Sequence, residues 1–426
     1  MRSKFRLSAL SACLTIGFGL ALAGPFGTVQ AAPDNMVTDW NHTMLATFAT
    51  ANVPPPPANR LGGIVQAAVF DAVNGIERRY QPIHVQAAAP DDASPKAAAA
   101  SSAHAALVDL FPAQNPALDA AFAASLALLT DDEDAQSVAD GIAWGAAVAG
   151  EIITWRASDG FNAAPPPYVF SSTPGQWQPT PGGSGAPKFR TLATTTPFAL
   201  TSPSQFRPAG PPSMTSGRYT QDFNEVKAIG GVISSVRTPY QTQTAVFWQV
   251  DTPTAIWDRA ADSLALEHHL NLLQTARLLA LTDISIADAT IAIWDAKNAF
   301  NSWRPVTAIV DADLDGNPDT LPDSTWLPLM TTPYFQEYPS AHSGVSSAAA
   351  TVLASLFGDD TSFTLTSAGL PGVARTFTSF SQAVAEVADA RVLAGFHFRF
   401  SCDDAITLGS QTATYVEGKM MLPAHD

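Results

Sequence analysis

Residues 157–212 carry 12 of the chain's 33 prolines, mixed with Gly, Ser and Thr. Proline has no N–H and a locked φ, so most of this span can be neither regular helix nor central strand. Apolar residues recur at helical spacing on both sides of it: at 61–80, 96–110, 117–129 and 134–156 before it, and at 219–230, 239–248, 255–282, 284–303, 343–357 and 379–393 after it. The span's own aromatics, Tyr168, Phe170, Trp177, Phe198 and Phe206, favour a packed cover over a free linker. Residues 363–366 and 375–378 alternate around Pro371-Gly372, which predicts a small hairpin. The expectation is all-α: two packed four-helix bundles, a long Pro-rich extended cover and at most a small β-hairpin. The expected divisions are a leader (1–32), an N-terminal helical region (33–156), the cover (157–215) and a C-terminal helical region (216–426).

The leader has a secretory layout, with Arg2, Lys4 and Arg6 before an apolar stretch and small residues near Ala31-Ala32. An exported protein, periplasmic or extracellular, is expected. Loss of the leader would also remove Cys13 and leave Cys402 alone, so packing rather than an internal disulfide must hold the fold. The remaining 19 Lys and Arg stand against 38 Asp and Glu, which argues against nucleic acid or an anionic membrane as partner. No later apolar run reads as a membrane span, and nothing in the pattern fixes an oligomeric state. Asp311, Asp313 and Asp315 alternate before Gly316 like the start of a calcium loop. Position twelve is Pro322, where a Glu would be needed, so a solvated turn is the favoured reading and calcium the alternative.

Only 14% of the residues are charged, so clustered cations in apolar segments carry information. Lys297 and Arg304 are seven apart, and seven steps of about 100° return to one face of a continuous helix. Pro339-Ser340-Ala341-His342 stands before a helical run, where Ser340 and the N–H groups of Ala341 and His342 can cradle an anion. Arg391 and His397 are six apart, so a helix carrying both must end or kink near Gly395 for them to meet. Two guanidinium groups, a Lys, a Ser, helix N–H groups and two His residues make a set suited to a tetrahedral oxyanion.

In this order and at these spacings the three segments resemble the superfamily of type 2 phosphatidic acid phosphatases, bacterial acid phosphatases and vanadium-dependent haloperoxidases, whose pattern is K-x6-RP, PSGH and SR-x5-H-x3-D. The chain length, the Pro-rich cover, and the aromatic residues Trp294 and Phe335 around the cavity are similar to the haloperoxidase branch. The resemblance implies that His397 is the axial ligand of vanadate and that Lys297, Arg304, Ser340, the Ala341 N–H and Arg391 bind its oxygens, a site for which phosphate competes. It implies that His342 is the acid–base group, and that hydrogen peroxide oxidises halide to hypohalous acid, which halogenates a small organic acceptor. The alternative it implies is an acid phosphatase with a phosphohistidine at His397. Three positions depart from the pattern: Ala341 replaces Gly, Ala390 replaces Ser, and Ser401 replaces the Asp that would orient His397, with Asp403 or Asp404 as substitutes.

Overall fold

Helix starts in this chain are set mostly by proline and short polar caps. The computed structural model describes residues 35–129 and 133–424, so the leader lies outside the described residues. Asn35 caps α1 (Met36–Thr50) and Pro55 opens α2 (Pro55–Glu77). Ser94 caps α3 (Pro95–Leu110), α4 (Asn115–Ala127) follows a short turn, and Asp134 caps α5 (Ala135–Ala157). Beyond the proline-rich span come α6 (Gly217–Ile229), α7 (Pro239–Val250), α8 (Pro253–Glu267), α9 (Leu272–Phe300) and α10 (Pro305–Val310). The last three are α11 (Ala341–Phe357), α12 (Phe380–Leu393) and α13 (Arg399–Glu417). Between α11 and α12, β1 (Phe363–Thr366) pairs antiparallel with β2 (Ala374–Phe377), Phe363 opposite Phe377. The described residues are therefore all-α apart from one small hairpin.

Two boundaries differ from the sequence expectation in ways that matter. The stretch expected at 255–282 is two helices, because Asn271 starts α9 with a capping box to Gln274. The same helix then runs through Asp283 without a break. It stops at Phe300, where Asn301 takes a left-handed conformation (φ 49°). Arg304 is thus not on the helix of Lys297; it is the N-cap residue of α10. Helices α1 and α13 were not expected. The buried face of α13 is built from Cys402, Ala405, Leu408, Gly409, Thr412 and Ala413, too small and mixed to read as an apolar stripe.

Helix α9 is buried nearly all round from Leu273 to Lys297 and packs against α2 on one side and α11 and α13 on the other. Helices α1, α3 and α5 extend the α2 side, with α3 on α2 and α5; α12 extends the α11 side. At the crossing of α11 and α13 two glycines meet: a Cβ on Gly409 would stand 2.0 Å from the carbonyl oxygen of Gly344. Only glycine lets the backbones approach so closely.

The proline-rich span is tied to α9 by its backbone. Asp288 accepts N–H groups from Phe198, Ala199 and Leu200 at 2.6, 2.8 and 2.9 Å, and Arg207 makes a two-pronged pair with Asp295 at 2.7 Å. The Tyr168 hydroxyl donates to Asn301 at 2.8 Å, and the Trp177 N–H reaches the Asn301 carbonyl at 2.6 Å. Buried carboxylates with several N–H donors hold loops this way without needing periodic structure. The Asp315 carboxylate turns inward to the Asn317 N–H and the Thr320 hydroxyl, and among the described residues no His, Cys, Asp and Glu side chains group as a metal site. Nor is any described helix long and apolar enough to cross a membrane.

One buried contact is electrostatically costly. Asp258 on α8 and Asp283 on α9 are fully buried and face each other, and neither carboxyl receives a donor from another described residue. Burial first, and for Asp258 the neighbouring Asp283 and Asp262, push the pair above the carboxylate range. The folded pair keeps protons that the unfolded chain releases above the ordinary value of 3.8, so folded protein binds more protons and stability falls as pH rises above that range. Asp283→Asn keeps a hydrogen-bonding pair but removes one linked proton. The expected outcome is a flatter stability profile between about pH 5 and about pH 8, with a higher Tm at the alkaline end. A profile with the wild-type slope in thermal denaturation would contradict it.

Candidate active site

Three loops converge at the end of α9 that carries Lys297. The first is 301–304, after the left-handed Asn301. The second is 335–340, which leads into α11. The third is 394–398, where α12 ends at Leu393 and Gly395 turns with φ 78°. A side chain at Gly395 would strike the Gly230 carbonyl, which a Cβ would approach to 2.4 Å. The turn after Leu393 is what lets Arg391 and His397 face one site.

Lys297 is fully buried, and its ammonium donates to three backbone carbonyls of the second loop: Gln336 at 2.9 Å, Glu337 at 2.8 Å and Pro339 at 2.7 Å. All three donors are used on the loop, so Lys297 clamps it and contributes charge to the site. Arg304 donates through Nε to the Phe335 carbonyl at 2.9 Å and through Nη1 to the Phe396 carbonyl at 3.0 Å. The same Nη1 lies 3.1 Å from His397 Nε2, and Nη2 is buried without a partner. Arg391 reaches the Gln249 side chain with Nη1 and leaves Nε buried and unpartnered.

Ser340 is the N-cap residue of α11, yet its side chain makes no capping bond; its hydroxyl sits 2.9 Å from that of Ser343. The first N–H groups of α11 therefore carry no side-chain cap and can meet a ligand beside the Ser340 hydroxyl. Ala341 is the first residue of the helix and has no left-handed strain, so the methyl that distinguishes it from glycine leaves its N–H in place. His342 follows. It faces a cavity of about 550 Å³ lined also by Trp294, Phe335, Ala341 and Phe189 of the cover, and its Nε2 is buried and unpartnered. Trp294 and Phe335 pack with ring centroids 5.2 Å apart, and Lys297 Nζ lies 5.3 Å and Arg304 Cζ 5.0 Å from the Phe335 ring.

The partner of His397 is Glu337, a residue to which the sequence reading gives no role. Nδ1 of His397 lies 2.8 Å from Glu337 Oε1, and both side chains are buried. The two substitutes expected for the missing Asp are engaged elsewhere: Asp403 with Arg218, and Asp404 with the Tyr338 hydroxyl. Ser401 is 3.4 Å from Nδ1, at the far limit of a hydrogen bond.

The electrostatics are one-sided. Burial and neighbouring cations hold Lys297 well below its ordinary value, Arg304 is lowered to about 10, and Arg391 is lowered to about 9. Both histidines are pushed well below 6.5, burial first and then the guanidinium groups, so each is neutral at neutral pH. Glu337 is pushed up to about 7 by burial, against the pull of Arg304 and Lys297. Three cations surround the Glu337 carboxylate, and Arg304 Nη2, Arg391 Nε, His342 Nε2 and Glu337 Oε2 are buried without a partner. The donor set fits one tetrahedral oxyanion.

Inorganic phosphate is a sufficient probe of that fit. At a hundred times its Kd it should stabilise the chain by about 2.7 kcal/mol, seen as a rise in Tm that Arg391→Ala removes. Sulfate and phosphate that leave Tm unchanged at any concentration would contradict an oxyanion site.

Comparison with known proteins points the same way. Residues 277–424, which hold all three loops, match the VCPO second helical-bundle domain. Vanadium chloroperoxidase from Curvularia inaequalis is 30% identical over 167 residues, which are 32% of this chain and 27% of that protein, so the alignment spans about a quarter of the curated relative. A solved bacterial vanadium-dependent iodoperoxidase superposes with a TM-score of 0.78 at 26% identity, covering 92% of this chain and 99% of that one. A holo-type bacterial vanadium-dependent chloroperoxidase shares the fold at a TM-score of 0.68 and 17% identity, over 91% and 96% of the two chains. With its second bundle matched over residues 277–424 and its fold shared almost end to end with a solved iodoperoxidase, the chain is similar to vanadium-dependent haloperoxidases in the part that carries the site, which supports the branch its motifs resemble.

Proposed function

We propose that the protein is an exported vanadate-dependent haloperoxidase that uses hydrogen peroxide to oxidise halide to hypohalous acid, which then halogenates a small organic acceptor. The observation that carries this reading is a buried cationic cage, open to an apolar cavity, with a neutral histidine on each side. Arg304, Arg391, Ser340 and the Ala341 N–H would hold the oxygens of vanadate, and Lys297 would balance its charge. His397 would ligate it through Nε2, the ring nitrogen now met by Arg304. Bound there, vanadate supplies a Lewis acid that activates peroxide toward halide.

The protein's part is positioning and proton handling. Arg304 is held by two backbone carbonyls and Arg391 by the Gln249 side chain, so both guanidinium groups are in place before charge develops on the bound oxygens. His342 is held neutral by burial and by Arg391, Arg304 and Lys297, so it can take a proton from incoming peroxide and return it to the leaving oxygen. Trp294 and Phe335 give the cavity an aromatic wall beside the cage, keeping bulk water from competing for the donors.

The test is bromination or iodination of a phenolic dye with peroxide, with and without added vanadate, beside hydrolysis of a chromogenic phosphate ester. Vanadate-dependent halogenation is expected. His342→Ala should keep the oxyanion-induced rise in Tm while losing about 10²–10⁴ in kcat, whereas His397→Ala should lose vanadate binding itself. Ester turnover inhibited by vanadate, with no halogenation, would replace this reading by a phosphatase.

A further inference from the structure

We propose that Glu337 is the positioning residue for His397, a carboxylate displaced from the helix position of Ser401 into the anion-binding loop itself. The inference rests on the oxyanion reading of the site and adds a specific role to a residue the family pattern does not mark.

The position four residues after His397, where the pattern has Asp, holds Ser401, whose hydroxyl is 3.4 Å from Nδ1. Glu337, sixty residues earlier in sequence, meets the same nitrogen from the anion loop, and the Ser401 hydroxyl also hydrogen-bonds its carboxylate. Its Oε1 takes the Nδ1 contact at 2.8 Å and also accepts the Phe398 N–H at 3.2 Å, so the ring and the backbone next to it are held by one oxygen. The backbone of Glu337 is itself fixed at both ends. Its N–H donates to the Ser302 carbonyl at 3.0 Å, and its carbonyl accepts from Lys297 at 2.8 Å.

These neighbours select one tautomer of a neutral ring. With the proton on Nδ1, the ring donates to Glu337 and presents its Nε2 lone pair to Arg304 Nη1 at 3.1 Å. With the proton on Nε2, an N–H would point at a guanidinium that has only donors, and a lone pair would point at a carboxylate. The Nδ1–H tautomer is also the one that leaves Nε2 free to bind a central atom, and a carboxylate behind a ligating histidine raises its basicity. Placing that carboxylate three residues before Ser340 adds something the helix position would not: the loop clamped by Lys297, which delivers the Ser340 hydroxyl, also sets the histidine. Oxyanion binding and ring state become properties of one segment.

The experiment uses the full chain and relocates the carboxylate. Ring-nitrogen ¹⁵N NMR of histidine-labelled protein, with His397 assigned by its loss in His397→Gln, reads the tautomer; calorimetric titration with inorganic phosphate and with orthovanadate reads affinity. Wild type should show Nδ1–H. Glu337→Ala should lose that preference and bind both anions about 10- to 100-fold more weakly. Glu337→Gln, whose amide oxygen still accepts from Nδ1, should keep the tautomer with a smaller loss of affinity, and it remains informative if the alanine variant fails to fold. Glu337→Ala/Ser401→Asp should restore tautomer and affinity together. An unchanged ring signal and affinity in Glu337→Ala would overturn the proposal, as would a loss of affinity with an unchanged tautomer that the double variant does not recover, which is what a purely structural role gives. Wild-type protein that binds neither anion removes the oxyanion reading on which the proposal rests, whereas tautomer control with anion binding but no halogenation leaves the proposal standing and removes only the haloperoxidase activity.

Discussion

Buried positive charge without a matching anion is the constraint on which the rest of this structure turns. Lys297, Arg304 and Arg391 are all within 1% of full burial, and among the described residues Glu337 is the carboxylate set among them. Removing such groups from water is expensive unless they are paired. The chain lowers that cost by giving Lys297 three carbonyls and Arg304 two, and leaves the remaining donors aimed inward. A bound oxyanion completes the pairing.

The fold supplies the geometry by stopping helices rather than extending them. Helix α9 ends at Asn301 so that Arg304 can swing across from the start of α10, and α12 ends before Gly395 so that His397 can turn back toward Arg391. The Gly344–Gly409 crossing draws α13 against α11, and the Ser340 N–H then reaches the Ser401 carbonyl at 3.1 Å. That backbone bond, with the buried side chains of Arg304 and Glu337, fixes the distance between the anion loop and the histidine loop. The cover adds the third wall, held to α9 through Asp288 and Asp295.

Much of this was legible in the sequence because cations are scarce and their positions are spaced. The segments around Lys297, Ser340 and Arg391 do converge, and the hairpin at 363–377 forms. Lys297 and Arg304 do not share a helical face, because a single left-handed Asn301 ends the helix that would have carried both. The break before α9 had a local signal, Asn271 with Gln274 three residues on, whereas α13 had little, since its core face is made of small and hydroxyl residues. Glu337 could not be assigned from spacing, because its partner lies sixty residues away and is reached only through tertiary packing. Its signal was chemical: a carboxylate beside Tyr338 and Pro339, in a loop otherwise fitted for an anion, while the pattern's own Asp was absent at Ser401.

The most direct measurement of the central claim is a crystal structure of the protein equilibrated with orthovanadate, with the vanadium located by its anomalous scattering. One peak per chain is expected, next to His397 Nε2, with Arg304 moved off that nitrogen and onto the anion, and Glu337 still on Nδ1. A cage without a peak at saturating vanadate, or a peak held by other residues, would contradict it.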